Sequence, residues 1–266
     1  MDTRYLHAIE GEYQMDAHVL PTQKEIDFCD DHRTGVYRAI FERRDVRGQF
    51  LPDEIPDEVI SRILMAAHHA PSVGFMQPWD FMMIKSGDVK QKVHGLFKKA
   101  HDEAAEMFDE ERRETYRNLK LEGILESPLN IVITCDRDRS GPVVVGRTHQ
   151  KTMDLYSSVC AVQNLWLAAR AEGLGVGWVS IMDEPALKEV LGIPKRITVI
   201  GYLCVGYVSH FYQKPELEMA KWRERLPMDK IMHFDQWGNA EENDLTEQVR
   251  KDQAVAQEGR FLEDVV

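Results

Sequence analysis

The chain has 266 residues, with 33 Lys and Arg against 45 Asp and Glu, a formal net charge of −12 at pH 7. Hydrophobic residues are 43% and charged residues 29%, ordinary globular composition for one large domain or two small ones. The acidity argues against nucleic acid as the main partner, since a phosphate polymer repels it. No apolar run reaches the roughly 20 residues that cross a membrane. Met1-Asp2-Thr3-Arg4 opens no secretory signal. The four cysteines, Cys29, Cys135, Cys160 and Cys204, form neither a CxxC pair nor a zinc spacing. The expectation is a reducing, cytoplasmic protein with free thiols, three of them in apolar surroundings.

Charge is unevenly placed. Residues 1–32 carry eight acids against two bases, and residues 239–266 carry eight against three. The stretch between them is close to neutral. The expected organisation is an acidic N-terminal extension (1–32), one domain (33–238) and an acidic C-terminal tail (239–266). Such ends serve solubility or pack on a neighbouring subunit. No internal repeat and no Gly/Ser linker divides the body.

In chain order, residues 34–43 predict a helix with Val36, Ile40 and Phe41 on one side. A second helix starts at Pro56, a favoured first helical position, and carries Val59, Ile60, Ile63, Leu64 and Ala67 at helical spacing until Pro71 stops it. Residues 80–85 predict a strand, and 88–122 a charged helical stretch. Residues 129–135 are a continuous apolar run, the mark of a buried strand. Residues 152–172 predict a helix with Leu155, Val159, Val162, Trp166 and Ala169 on its core face, closed by Gly173. A strand follows at 175–181, then a short helix capped by Asp183, then a long strand at 196–208. So few strands cannot cover so many apolar helix faces, so a helical dimer interface is expected.

Several motifs fail on context. Gly173-Leu174-Gly175-Val176-Gly177 looks like a nucleotide loop, but such a loop follows a strand and opens a helix. Here the order is reversed, and a helix cap with a tight strand entry is the better reading. His68 and His69 are neighbours on a helix, about 100° apart, and cannot chelate one ion together. No HExxH or other metal spacing occurs, so no metal is expected. Ser180 lacks the GxSxG setting of a hydrolase nucleophile.

Four separated segments remain. Arg43-Arg44-Asp45-Val46-Arg47 reads either as a solvated helix end or as a seat for a phosphate, for which Arg supplies forked donors. Ala70-Pro71-Ser72-Val73-Gly74-Phe75-Met76-Gln77-Pro78-Trp79 is rigid and nearly uncharged. It is either a buried turn or a wall for a flat aromatic ligand, with Ser72 and Gln77 as polar contacts. Gly177-Trp178-Val179-Ser180-Ile181-Met182 lies on the strand after the long helix. Trp222-Arg223-Glu224-Arg225-Leu226-Pro227 is a second basic cluster.

In this order, over about 35–227, the segments resemble the FMN-dependent nitroreductase family. The resemblance implies an α+β fold, an α/β sandwich with a central, mainly antiparallel sheet flanked by helices, and a domain-swapped homodimer with FMN at the interface. It implies that Arg43, Arg44, Val46 and Arg47 hold the flavin, with Arg223 or Arg225 as the late basic pair. Pro71, Ser72, Val73, Gln77 and Pro78 would line the ring from the other subunit, and the backbone of Val179 and Ile181 would border it.

The segments GVYRAIFERRDVRGQFLPDEIPDEV, ILMAAHHAPSVGFMQPWDF and GLGVGWVSI are most like the branch of that family that makes 5,6-dimethylbenzimidazole, the lower ligand of vitamin B12. That branch consumes reduced FMN with O2 and releases erythrose 4-phosphate. An Asp and a Ser are its residues tied to chemistry, and Asp45 and Ser180 stand at those positions. Asp45, among arginines, is expected to ionise readily, because nearby positive charge favours a carboxylate. Its plain alternative is an ion-pair partner that orders Arg44 or Arg47; for Ser180 it is a strand hydroxyl satisfying backbone. Two other functions stay open: an NAD(P)H-dependent nitro- or quinone reductase, and a non-catalytic flavin-binding dimer. A synthase would further need a flavin reductase or other source of reduced FMN, with NAD(P)H as the indirect electron source.

Overall fold

A computed structural model describes residues 27–259. Most of the expected N-terminal extension (1–26) and the end of the tail (260–266) lie outside the described residues. The elements are α1 (Asp30–Glu42), α2 (Asp57–His68), β1 (Trp79–Ile84), α3 (Gly87–Ala105), α4 (Glu110–Asn118), β2 (Leu129–Cys135), α5 (Met153–Ala171), β3 (Leu174–Val179), α6 (Glu184–Leu191), β4 (Thr198–Tyr207), α7 (Glu216–Met219) and α8 (Asp244–Gln257).

The four strands form one antiparallel sheet in the order β1-β2-β4-β3. Every residue of β2 is buried. Alternate strand residues point to opposite faces, so each face has its own core. On one face Ile131, Ile133, Leu203 and Val205 pack against Ile60 and Ile63 of α2 and Ala161, Val162 and Leu165 of α5. On the other, Val132, Tyr202 and Cys204 pack against Val93 and Phe97 of α3 and Leu187 of α6. The result is the expected α+β sandwich, with helices on both sides of a central antiparallel sheet.

Three expectations change. Pro56 is the cap of α2 and not its first residue. The charged stretch 88–122 is two helices, because Asp109 caps a new one by accepting from the Arg112 N–H. Val159 of α5 is not core: it is 42% exposed, and Leu155 is only half-buried. Ser158, Ala161 and Leu165 join the expected Val162, Trp166 and Ala169 on the core face. A helix apolar on nearly every side gives no period to say which stripe faces inward. α1 buries no residue: Val36, Tyr37, Ile40 and Phe41 are between 39% and 47% exposed. No described helix is long and apolar enough to cross a membrane.

Candidate active site

The segment after α1 crosses the open edge of β3. Val46 N–H donates to the Val176 carbonyl at 3.0 Å, and Asp45 bridges Val176 in parallel. This crossing requires Gly177: a Cβ there would stand 2.0 Å from the Val46 carbonyl oxygen. The glycine run is thus a helix closure at Gly173, with φ +79°, followed by a strand whose second glycine admits a neighbouring backbone.

The crossing fixes Asp45. One carboxylate oxygen accepts from the Trp178 N–H at 2.9 Å, and the other from Arg47 at 2.7 Å. Burial pushes the carboxyl above its ordinary value, against the opposing effects of Arg47, the Trp178 N–H and Arg43. The expectation of a readily ionised Asp45 is therefore corrected. Neighbouring arginines were visible in the sequence, but the desolvation that outweighs them comes from packing on β3. The side chain keeps 34% exposure, so it sits in a crevice and not in a sealed pocket.

Arg47 is committed to carboxylates. Besides Asp45 it faces Glu216 at 3.4 Å, and Glu216 also accepts from Gln49 at 3.1 Å. Arg43 and Arg44 are different. The Arg43 guanidinium lies 5.1 Å from the centre of the Trp166 ring. Arg44 donates to the carbonyls of Phe41, Arg43 and Gln213. Burial, then the charges of Arg225, Arg43 and Arg170, pull the Arg44 guanidinium below its ordinary value, with Glu42 opposing. The buried Nε atoms of Arg43, Arg44 and Arg170 have no hydrogen-bond partner among the described residues. The positive charges of Arg43, Arg170 and Arg225 gather around Arg44 with Glu42 opposing them, an arrangement that suits an anion.

Sequence reasoning missed Arg170 and Glu42. Arg170 donates to Glu42 at 2.6 Å and stacks 4.4 Å over Phe211. The available signal was its place four residues after Trp166, on the same side of α5. Both members of the late pair are exposed; the charge of Arg225 acts on Arg44, while Arg223 follows Trp222, on whose ring Arg112 stacks at 5.6 Å. Ser180 is exposed directly after β3, with its carbonyl accepting from the Met182 N–H. The side chains of Val46 and Val179 are core, which leaves only their backbones for a ligand; Ile181 packs against the same core.

The loop carrying Pro71, Ser72, Val73, Gln77 and Pro78 lies elsewhere. It leads into β1, the edge strand opposite β3, and three strand spacings amount to about 14 Å. Ser72 Oγ accepts from the Gln77 N–H, and the Val73 N–H donates to Ser157 on α5. Gly74, Phe75 and Gln77 all have positive φ, near +50°, and Phe75 is 82% exposed. A non-glycine residue in that region is strained, and such strain gathers at functional sites. One protomer thus presents two separate groups of candidate residues: the arginines with Asp45 and Ser180, and the 71–78 loop.

Known proteins share this sequence and fold. The chain is 39% identical over 190 residues to the 5,6-dimethylbenzimidazole synthase of Rhodospirillum rubrum, covering 71% of this chain and 90% of that one. It is 34% identical over 204 residues to the synthase of the same name from Rhodobacter capsulatus, covering 77% and 98%. A solved BluB-like flavoprotein from Clostridium difficile 630 superposes with a TM-score of 0.59 at 20% identity, over 76% of this chain and 99% of that one. Residues 40–207, from the last turns of α1 to the end of β4, match the Nitroreductase family model, and with it the chain belongs to the nitroreductase family.

Proposed function

We propose that this chain fragments reduced FMN with molecular oxygen, yielding 5,6-dimethylbenzimidazole and erythrose 4-phosphate. The observation that carries the reading is Asp45, held by two hydrogen bonds at the edge of β3 and next in sequence to arginines whose buried Nε atoms lack partners among the described residues. A proton-handling group beside an anion seat suits a phosphorylated substrate that must exchange protons. The identity to synthases over nine-tenths or more of their length supports the same reading.

FMN fits the residues present. Three unsatisfied buried guanidinium nitrogens call for an anion, and a phosphate monoester satisfies them with charge-assisted bonds. Bound there, reduced FMN supplies electrons to oxygen and is itself the material of the product. Arg43, Arg44, Arg170 and Arg225 hold the phosphate. Asp45 takes and returns protons, a role served by the raised affinity of its carboxyl for a proton. Ser180 and the backbone of residues 179–181 border the ring. Arg47 orients Asp45 rather than reaching phosphate.

The 71–78 loop completes the site from a second copy of the chain. Two groups of site residues at opposite edges of one sheet, and an α1 without a buried residue, support a homodimer. A flavin reductase working in the cytoplasm, fed by NAD(P)H, would supply the reduced FMN. The test is to reduce FMN anaerobically on the protein, admit air and separate the products by chromatography. Dimethylbenzimidazole is expected. Recovery of FMN alone, with turnover driven by NADH, would assign the reductase activity instead.

A further inference from the structure

The segment that follows β4 is stitched onto the segment that carries Asp45. Ser209 N–H donates to the Gln49 carbonyl at 3.0 Å, and Arg44 donates to the Gln213 carbonyl. One turn further on, at the start of α7, Glu216 meets Arg47. The Arg47 guanidinium stands between two carboxylates: one terminal nitrogen is 2.7 Å from Asp45, the other 3.4 Å from Glu216. Gln49 locks this arrangement from both ends. Its side-chain oxygen accepts from the Arg47 backbone N–H, and its side-chain nitrogen donates to Glu216, each at 3.1 Å. Gln49 is 8% exposed, and the side chains of Arg47 and Glu216 are 11% and 22% exposed.

We propose that Glu216 is a positioning residue that acts on Asp45 by sharing its counter-ion, Arg47. A planar guanidinium can grip one carboxylate with two parallel bonds. Here the second grip is taken by Glu216, so Asp45 receives a single bond and a divided charge. The inference deepens the proposed function and rests on its assignment of Asp45 as the proton-handling group.

The other groups around Asp45 do not take the place of this control. Its own segment supplies Arg43 and Arg47, β3 supplies the uncharged Trp178 N–H, and β4 supplies Cys204. Burial pushes the Cys204 thiol up to about 12, so it stays neutral wherever Asp45 titrates. Glu216 is then the carboxylate that reaches Arg47 from the C-terminal side. With its charge removed, Arg47 turns wholly to Asp45, and Asp45 holds its proton less tightly.

The experiment reads Asp45 directly. Protein labelled with 13C at its aspartate carboxyls is titrated by NMR, with Asp45→Asn identifying the signal. Glu216→Gln keeps shape and the Gln49 contact while removing charge, and Glu216→Asp keeps charge. FMN affinity, followed by fluorescence quenching, reports that each variant is folded. The midpoint of Asp45 should fall by about one pH unit in Glu216→Gln and stay near wild type in Glu216→Asp, with FMN affinity unchanged in both. The acid limb of product formation should move with it. An Asp45 midpoint unmoved in a Glu216→Gln variant that still binds FMN overturns the proposal, as does an equal shift in Glu216→Asp. Because the titration needs no turnover, a shifted midpoint in a protein that makes no dimethylbenzimidazole would uphold the role of Glu216 and reject the synthase reading.

Discussion

Asp45 is placed at a cost to the fold. Its carboxyl has a higher affinity for protons in the folded chain than in the unfolded one, because burial disfavours the charged form. Between the ordinary aspartate range and the folded value, the folded state binds more protons, so stability falls as pH rises. Asp45→Asn should therefore raise the melting temperature at pH 7, and the gain should vanish below the ordinary aspartate range. Melting curves at about pH 2.5 and pH 7 check both halves. Arg43 makes the opposite kind of contribution, to binding. Arg43→Ala should weaken FMN by about 10- to 150-fold, the equivalent of a charge-assisted hydrogen bond worth about 1.5–3 kcal/mol. Riboflavin, which lacks the phosphate, should bind equally weakly to wild type and variant. Equal losses for both flavins, by fluorescence quenching, would show that Arg43 holds something other than phosphate.

The elements explain which parts of this site can be read from sequence. β2 was legible to its ends, because a strand buried on both faces is a continuous apolar run. The glycine run was legible as a strand entry, because glycine context distinguishes a loop before a helix from one after it. The pairing of Arg47 with Asp45 was legible as an alternative, but the fork of Arg47 between two carboxylates was not. Its second partner, Glu216, lies 169 residues away, and no local pattern announces that contact. Arg170 was hidden for the same reason, since its partner Glu42 is 128 residues distant. The outer stripe of α5 was misread because Val159 is as apolar as Val162, and only the sheet beneath decides between them. Two predictions belong at this scale. Gly177→Ala should cost about 3 kcal/mol or more, since its Cβ would collide with the Val46 carbonyl and push the Asp45 segment off β3. Urea unfolding measures the loss, and an unchanged midpoint would mean that the crossing yields freely. Asp154, fully buried at the start of α5, accepts from Arg137 at 3.0 Å and Arg147 at 2.5 Å. Burial raises its carboxyl, but the bonds from the two arginines outweigh burial and hold it below its ordinary value. That stabilisation is complete above the ordinary aspartate range and is lost as pH falls through the depressed folded value. Asp154→Asn should cost about 3 kcal/mol at pH 7, the low end for a broken buried pair because Arg137 stays 38% exposed. The deficit relative to wild type should shrink on acidification below that range.

At the scale of the whole molecule, the site residues and the exposed apolar side chains of α1 support the proposed dimer. The arginine group and the 71–78 loop sit at opposite edges of one sheet, and α1 carries four exposed apolar side chains. A second copy of the chain would cover that helix and bring its own loop to the arginines. Light scattering at micromolar concentration should give about twice the 30.7 kDa of the chain. A stable mass of one chain, in protein that still binds FMN, would contradict a site shared between subunits.

As proposed, this site consumes its flavin through Asp45 and binds it through the arginines. The most direct measurement is a ratio: dimethylbenzimidazole formed against FMN recovered, after air is admitted to reduced FMN on wild type and on Asp45→Asn. Wild type should yield dimethylbenzimidazole. Asp45→Asn should bind reduced FMN as tightly, return it as FMN, and lose product by at least the roughly 10²-fold attached to acid–base catalysis. Wild-type product from Asp45→Asn would contradict the account and leave Asp45 as an ion-pair partner of Arg47.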